Sequence, residues 1–132
     1  MTKVRELMRR EVITVLEDTP LQEAVALLIQ HRISGLPVVN RAGELVGLIT
    51  EKDVMRLLHE EPGACTTVRD LMTTKVRAFQ ADDDLELVTD CLLANHFRRV
   101  PILEGRKLVG LISRADLMPT VLALAQERLG GS

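Results

Sequence analysis

Short apolar runs alternate along the chain with segments in which apolar residues recur at helical spacing. The run LVGLI occurs at 45–49 and again at 108–112, and such near-continuous apolar runs predict strands that are covered on both faces. Thr19 and Pro20 are typical of a helix cap and a first helical residue. After them the apolar positions fall on one face of a helix, at Leu21, Ala24, Val25, Leu28 and Ile29.

The same pattern predicts two successive runs of strand, helix, strand, strand and helix. In the first half we predict a second helix from about 51 to 60 and strands at 12–15, 36–40 and 44–50. In the second half we predict a helix from about 83 to 95 and strands at 76–79, 100–103 and 107–113. Pro119 predicts a kink or break in the last helix, with 120–129 continuing as a separate piece.

The two halves are also related in sequence. VRELM at 4–8 returns as VRDLM at 68–72, and LVGLITEKDVM at 45–55 returns as LVGLISRADLM at 108–118. A sheet of three short strands with two helices on one side is too small to stand alone. We therefore predict an α/β fold of two pseudo-symmetric β-α-β-β-α repeats, residues 1–63 and 64–132, packed through their sheets.

Composition and charge narrow the classes of function. Apolar residues make up 46% of the chain, but only Phe79 and Phe97 are aromatic, which disfavours nucleic-acid binding by base stacking. A net charge of -2 gives no general attraction to nucleic acid or anionic membrane. No apolar run approaches membrane-spanning length. We expect a soluble cytoplasmic protein that binds neither nucleic acid nor membrane.

Patterns typical of catalysis and metal binding are missing. Cys65 and Cys91 lie far apart and the three histidines are scattered, so no zinc spacing occurs. No nucleophile–base signature, phosphate loop or dinucleotide fingerprint is present. The acidic run at 82–84 precedes a predicted helix, where a cap and a dipole partner explain it better than a metal. We expect no catalytic residue, no metal and no enzyme activity.

The strongest candidate chemistry stands at the end of each LVGLI strand. Thr50 with Asp53, and Ser113 with Asp116, place a hydroxyl and a carboxylate at a strand-to-helix corner. Free amides at such a corner suit phosphate, and a carboxylate one turn further accepts hydrogen bonds from ribose hydroxyls. The same spacing is also an acidic relative of the capping box. Both interpretations are open, and carboxylates locked onto their own main chain would leave only a scaffold.

Two signatures, each present twice in register, resemble those of CBS domains, the module named after cystathionine β-synthase. The first is Ser34-Gly35-Leu36-Pro37-Val38, with Arg98-Arg99-Val100-Pro101-Ile102 as its second copy. The second is GLITEKD at 47–53, with GLISRAD at 110–116 as its second copy. The similarity spans nearly the whole chain and implies a tandem CBS pair, or Bateman module.

The resemblance also implies a function. CBS pairs bind AMP, ADP, ATP or other adenosyl ligands such as S-adenosylmethionine and NAD, and they dimerise into a disc of four repeats. They regulate an attached or partner protein, so the chain is expected to be a non-catalytic homodimer that signals to an unidentified effector protein. The alternative is a structural dimerisation module with vestigial clefts. Its contact surfaces would then be VRELM, VRDLM and the last helices of the repeats.

Carried over position by position, the resemblance implies two composite clefts between the repeats. One combines Thr50 and Asp53 with Arg98, Arg99 and strand 76–79, and the other combines Ser113 and Asp116 with Ser34, Gly35 and strand 12–15. Adenine contacts from backbone and aliphatic groups are expected at Ile13, Thr14, Ser34, Gly35, Pro37, Arg77, Ala78, Val100 and Pro101. Because guanidinium groups bind phosphate in a bidentate way, the Arg98–Arg99 cleft should prefer ligands with more phosphates. A solvated basic pair is the alternative.

Overall fold

The computed structural model describes residues 2–130, which divide into two compact units. The 13–76 unit comprises Ile13–Val76 together with Arg106–Leu108. The 77–130 unit comprises residues 2–12, Arg77–Gly105 and 109–130. The units therefore divide the chain at places other than the repeat boundary, because VRELM is grouped with most of the second repeat and VRDLM with most of the first.

The 13–76 unit is built on a three-stranded sheet. Its strands lie in the order β1-β2-β3, with β1 parallel to β2 and β2 antiparallel to β3. The register shifts between Val38 and Val39. In chain order the elements are β1 (Val15–Leu16), α1 (Leu21–His31), β2 (Gly35–Val39), β3 (Leu45–Thr50), α2 (Glu51–Met55), a 3-10 turn (Arg56–His59) and α3 (Val68–Leu71).

The 77–130 unit repeats this arrangement. Its strands lie in the order β4-β5-β6, and β4 is parallel to β5. In chain order the elements are a 3-10 helix (Val4–Glu6), β4 (Phe79–Gln80), α4 (Leu85–Ala94), β5 (Arg99–Glu104), β6 (Lys107–Ser113) and α5 (Arg114–Arg128). The order of elements in both units confirms the predicted α/β fold. Within residues 2–130 no helix combines the length and apolarity needed to cross a bilayer.

Each unit has its own aliphatic core. In the 13–76 unit Leu36, Val38 and Ile49 are fully buried between the sheet and α1. The buried face of α1 is narrower than predicted, because Leu21, Ala24 and Leu28 are buried whereas Ile29 is 73% exposed. The corresponding core of the 77–130 unit contains Val88, Val100, Ile102 and Ile112.

The VRELM and VRDLM segments supply core residues. Val68 is fully buried and Leu71 is 3% exposed in the 13–76 core, and Val4 and Met8 are buried in the 77–130 core. The expectation of exposed helices is therefore wrong for these four residues, whereas Glu6, Arg69 and Asp70 are exposed. The buried apolar side chains complete cores that the β-α-β-β-α sequence leaves open on one side.

VRELM and VRDLM share the pattern VRxLM, and the residue that follows each of them makes a close backbone contact with an LVGLI strand. Thr73 and Leu48 exchange two backbone hydrogen bonds of 2.8 and 2.9 Å, and Arg9 and Leu111 do the same at 2.8 and 2.9 Å. A Cβ atom at Gly47 would lie 2.8 Å from the Thr73 carbonyl oxygen. A Cβ at Gly110 would lie 2.8 Å from the Arg9 carbonyl oxygen. The two repeated motifs therefore need each other, because only glycine admits the approaching backbone.

The first strand of each repeat is shorter than predicted. The strand predicted at 12–15 is β1, and the strand predicted at 76–79 is β4, each of two residues at the carboxyl end of the expected range or just beyond it. β1 pairs with Val38 and Val39, which immediately follow Pro37. Proline has no N–H with which to extend the ladder, so pairing begins after it.

The helix ends also differ from the predictions. Thr19 does not cap α1, because its hydroxyl accepts the Leu16 N–H at 3.0 Å and the helix begins at Leu21. The helix predicted to run from 51 to 60 is α-helical only to Met55 and then tightens into the 3-10 turn. The break predicted at Pro119 is wrong, since α5 runs continuously through it. Pro119 lies little more than one turn into α5, so its missing N–H removes a single intrahelical bond.

We predict that Gly47→Ala destabilises the protein by about 1–3 kcal/mol, because the added methyl overlaps the Thr73 carbonyl and forces the two backbones apart. Gly110→Ala should have a similar effect. Urea denaturation followed by circular dichroism measures both changes. Ala94→Gly, on the exposed end of α4, serves as an alanine–glycine control outside the contact. Unchanged stability in both glycine variants would contradict the close-contact explanation.

Candidate functional site

Thr50 and Asp53 form a reciprocal cap at the start of α2. The Thr50 N–H donates to Asp53 Oδ2 at 3.0 Å, and the Asp53 N–H donates to Thr50 Oγ1 at 3.2 Å. The Thr73 hydroxyl donates to the same carboxylate, at 3.2 Å from Oδ1. We call these three residues the Asp53 corner. All three belong to the 13–76 unit.

Ser113 and Asp116 form the equivalent cap at the start of α5. The Ser113 N–H donates to Asp116 Oδ2 at 2.9 Å, and the Asp116 N–H donates to Ser113 Oγ at 3.2 Å. The Arg9 Nε–H donates to Asp116 Oδ1 at 2.9 Å, which makes an ion pair. We call Ser113, Asp116 and Arg9 the Asp116 corner. It lies within the 77–130 unit.

The capping interpretation of the two pairs is therefore what the structure shows. In both corners Oδ2 of the carboxylate satisfies the main chain, and Oδ1 faces the residue that follows a VRxLM segment. A carboxylate has about four acceptor positions, so capping uses only part of its capacity. The sequence left capping and ribose binding as alternatives, and the structure shows capping that leaves part of the acceptor capacity of each carboxylate unused.

The amides at the two helix starts are less available than the sequence suggested. The Glu51 N–H donates to the Ser34 carbonyl at 2.9 Å, and the Arg114 N–H donates to the Arg98 carbonyl at 3.2 Å. The third amide of each helix is held by the Thr50 or Ser113 hydroxyl. The expectation of free amides for a phosphate is therefore wrong at these positions. An anion there would find fewer free main-chain donors and would depend more on side chains and on the helix dipole of α5.

Electrostatics differ between the two corners. The Asp116 side chain is 10% exposed, and burial by itself would raise its pKa. The hydrogen bond from Arg9 and those from Ser113 outweigh burial, so the pKa of Asp116 lies below its ordinary value of 3.8. In the Asp53 corner the neutral Thr73 hydroxyl takes the place of the Arg9 guanidinium.

The segment before each second strand lies beside the corner of its own repeat. Gly35 stands opposite Thr50 in the β2–β3 register, and a Cβ at Gly35 would lie 3.2 Å from the Thr50 Cγ2 methyl. The second repeat has Arg99 in place of Gly35 and Ser113, which lacks that methyl, in place of Thr50. The two differences compensate each other, since serine leaves room for a β-carbon.

Arg98 and Arg99 are grouped in the 77–130 unit, the unit of the Asp116 corner. Arg98 is exposed. Arg99 is half-buried, and its buried Nε–H has no hydrogen-bond partner among the described residues. The composite cleft that joins these arginines to Asp53 stays a prediction.

The expected adenine-contact positions fall into two groups. Ile13, Thr14, Arg77 and Ala78 lie in irregular backbone just ahead of β1 and β4, where all four are at least partly exposed. Ser34 and Gly35 are also partly exposed. The other expected positions are buried in strands, namely Pro37, Val100 and Pro101. Residues of the first group can therefore reach a ligand directly, whereas the second group supports the strands from the core.

The acidic run Asp82-Asp83-Asp84 is engaged in pairing. Asp84 accepts from Lys3 Nζ at 2.6 Å, and Asp82 accepts from Arg5 Nε at 2.8 Å. Asp83 accepts the Gln80 N–H at 2.8 Å, so it stabilises the turn before α4. Asp84 occupies the N-cap position without a side-chain cap bond, so the predicted cap is not formed. Within the described part of the chain no group of three acids, histidines or cysteines is placed to hold a metal.

Sequence reasoning missed Arg9 and Thr73. Both residues directly follow a VRxLM motif, at equivalent positions 64 residues apart. The repeat alignment thus identifies them as the same position with different chemistry. Their role was not visible because Arg9 is 107 residues from Asp116 and Thr73 is 20 residues from Asp53.

Comparison with known proteins identifies the class of this fold. The CBS domain family matches residues 4–60 and 68–122. The chain therefore belongs to the CBS domain family, and it carries two of these domains. The uncharacterized protein MJ1225 of Methanocaldococcus jannaschii is 33% identical over 115 residues, which are 87% of this chain and 41% of that protein. The chain thus spans less than half the length of that relative.

Two solved structures are similar over nearly the whole chain. CBSX2, crystallised in complex with AMP, has a TM-score of 0.84 and 27% identity, with 94% of this chain and 98% of that one covered. The CBS domain pair of protein MJ0100, in complex with 5′-methylthioadenosine and S-adenosyl-L-methionine, has a TM-score of 0.78 and 26% identity at the same coverage. Structures of CBS pairs therefore include complexes with three different adenosyl compounds.

The pairing of Asp116 predicts a pH dependence. A carboxylate whose pKa is lowered on folding stabilises the folded state above its ordinary pKa, and this contribution is lost as the pH falls through the lowered value. At pH 7 we expect Asp116→Asn to be less stable than the parent protein by about 1–2 kcal/mol, because the amide keeps an acceptor for the Ser113 N–H but loses the charge-assisted hydrogen bond from Arg9. The difference should shrink below about pH 4.

Urea denaturation at a series of pH values measures this effect. Asp90→Asn, an exposed position on α4, removes the same charge outside the corner and should change stability little at any pH. A stability difference for Asp116→Asn that stayed constant down to about pH 2, well below the ordinary carboxyl pKa, would show that its charge does not matter.

Proposed function

We propose that this protein binds an adenosine-containing nucleotide such as AMP, ADP or ATP at its two corners and acts as a regulatory module in the cytoplasm. The observation that carries the proposal is the hydroxyl–carboxylate corner, present twice in a chain of two CBS domains. Likeness to the AMP complex of CBSX2 and to the MJ0100 complex supports the choice of ligand class.

In this proposal the carboxylate binds the ribose while it continues to cap its helix. Asp53 Oδ2 holds the Thr50 main chain, and Oδ1 accepts from the Thr73 hydroxyl. Since each carboxylate oxygen has two lone pairs, Oδ1 keeps acceptor capacity for a ribose hydroxyl. The Thr73 hydroxyl is exposed and can rotate, so it can either release Asp53 Oδ1 or form a hydrogen bond with the ligand itself.

The adenine ring would contact backbone groups in the irregular segments, at Ile13–Thr14 or at Arg77–Ala78, with Ser34 and Gly35 beside them. Arg98 and Arg99 are the proposed phosphate ligands, since the amides of Glu51 and Arg114 are already bonded. S-adenosylmethionine and NAD are further candidates because they share the adenosine group.

The proposed module has no catalytic residue, and its output is a change in conformation or in dimer arrangement. A ligand can drive such a change only if it binds one arrangement more tightly than the other. The effector would be an attached or separate protein, and the protein itself would be a homodimer with four repeats in a disc.

Thermal unfolding with a panel of nucleotides tests the proposal. AMP at about 100 times its Kd should stabilise the protein by about 2.7 kcal/mol, which raises the Tm by several degrees, because it binds only the native state. Asp53→Ala and Asp116→Ala should each reduce the shift, whereas Asp90→Ala, with the same charge change, should not. Absence of a shift with AMP, ADP, ATP, NAD and S-adenosylmethionine would contradict the proposal.

A dimerisation or interaction module is the second candidate, and exposed apolar side chains favour it. Met55 and Leu58 are 61% and 81% exposed after β3. The equivalent region of the second repeat, on α5, exposes Met118 and Leu122 by 52% and 58%. Exposed apolar residues grouped on one element mark interaction surfaces, so these positions support a contact with another protein chain.

We predict that Leu122→Asp shifts the protein from dimer to monomer in sedimentation velocity, because a charge in an apolar interface is left without compensation. Leu93→Asp, at an 86% exposed position on α4, is the control and should leave the dimer intact. A parent protein that is monomeric at every concentration would contradict the dimer. A dimer without any nucleotide binding would favour the second candidate over the first.

A further inference from the structure

The two corners differ in the group that occupies the second carboxylate oxygen. In the Asp116 corner the Arg9 Nε–H holds Oδ1 at 2.9 Å, and in the Asp53 corner the Thr73 hydroxyl lies 3.2 Å from Oδ1. Arg9 and Thr73 occupy the same position of the repeat, and their backbones make the same pair of hydrogen bonds to the LVGLI strand. The difference is therefore confined to the side chain.

This difference changes what a ligand must displace. The Asp116 side chain is 10% exposed and its Oδ1 already accepts from Arg9, so a ribose hydroxyl at this oxygen competes with the guanidinium. A neutral diol that takes this oxygen replaces a charge-assisted hydrogen bond to a nearly buried carboxylate by weaker bonds from uncharged hydroxyls. In the Asp53 corner the displaced group is a neutral hydroxyl, which finds water as a partner at little cost.

A phosphate group would offset the loss of the Arg9 hydrogen bond. The Arg9 side chain is 74% exposed and uses only its Nε–H on Asp116, while a guanidinium carries five N–H donors. Such a fork matches the oxygens of a phosphate in a bidentate way. A ligand with both a diol and a phosphate would therefore give Arg9 a new anionic partner as it takes Asp116.

A second cation reinforces this asymmetry. Arg99 aligns with Gly35, the residue that stands opposite Thr50, so its backbone starts beside the equivalent Ser113. Its buried Nε–H has no hydrogen-bond partner in the described part of the chain. The first repeat has no side chain at that position. The second repeat therefore carries a positive charge at Arg99, whereas the equivalent residue of the first repeat, Gly35, is uncharged.

We infer that Arg9 is a specificity-determining residue that makes the Asp116 corner select phosphorylated adenosine compounds over uncharged ones, whereas the Asp53 corner with Thr73 does not discriminate. This inference rests on the proposed function and deepens it, because it assigns different ligand classes to the two corners. It also places the phosphate preference with the second repeat's own acid, not with Asp53 as the sequence alone suggested.

Exchange of the two residues tests the inference. Binding of AMP and of adenosine is measured by titration calorimetry in an Asp53→Asn background, which leaves the Asp116 corner intact, and in an Asp116→Asn background, which leaves the Asp53 corner. Arg9→Thr is compared with the parent in the first background, and Thr73→Arg in the second. Arg10→Thr, at the exposed neighbouring position, removes the same charge outside the corner and is the control.

In the Asp53→Asn background we expect AMP to bind at least about tenfold more tightly than adenosine, the size of one charge-assisted hydrogen bond. Arg9→Thr should reduce this ratio to about threefold or less, with tighter adenosine binding, and Arg10→Thr should leave it unchanged. Thr73→Arg should create a preference for AMP in the other background. Arg9→Lys retains the charge and should retain most of the preference, so it serves if Arg9→Thr fails to fold.

An AMP-to-adenosine ratio that is the same in the parent protein and in its Arg9→Thr variant would overturn the inference while leaving the proposed function in place. Binding that survives only in the Asp116→Asn background would also overturn it, because the Asp116 corner would then take no ligand. Failure of the parent protein to bind either compound would instead reject the proposed function itself.

Discussion

Each corner depends on one close contact between two backbones, at Gly47 in one unit and at Gly110 in the other. The chain that follows a VRxLM motif runs against the LVGLI strand at a distance that a single β-carbon would prevent. Two backbone hydrogen bonds hold it there, and the apolar residues of VRxLM anchor it in the core. The contact therefore links core packing to the positions of the side chains in the two corners.

That contact determines which side chain donates a hydrogen bond to each carboxylate. It places Thr73 on Asp53 and Arg9 on Asp116, while the caps orient both acids through their other oxygen. The main chain fixes each carboxylate through Oδ2, so Oδ1 is the oxygen through which the proposed ligand binding would add to capping. The duplicated fold thus places different side chains, Thr73 and Arg9, on two equivalent carboxylates, while the backbone contact that supports them is the same in both units.

Local patterns predicted elements better than their ends. The β2 and β3 strands and the α1 and α4 helices lie close to where periodicity places them. Thr19 had the residue type of a cap but accepts the Leu16 N–H, since the turn before Pro20 competes for the same hydroxyl. Pro119 had the residue type of a helix breaker but lies near enough to the start of α5 to be tolerated. Such outcomes depend on which partner is nearest, which a local pattern does not specify.

The sequence by itself determined the duplication, the aliphatic strands and the two hydroxyl–carboxylate pairs, because aligning the chain with itself reveals the repeats and because periodicity and capping spacings are local. Only the tertiary structure decided that two apolar residues each of VRELM and VRDLM are buried, that the amides of Glu51 and Arg114 are occupied, and that Arg9 pairs with Asp116. The physical reason is separation along the chain. Arg9 and Asp116 are 107 residues apart, and no local pattern encodes a contact that forms only when two distant segments pack in one core.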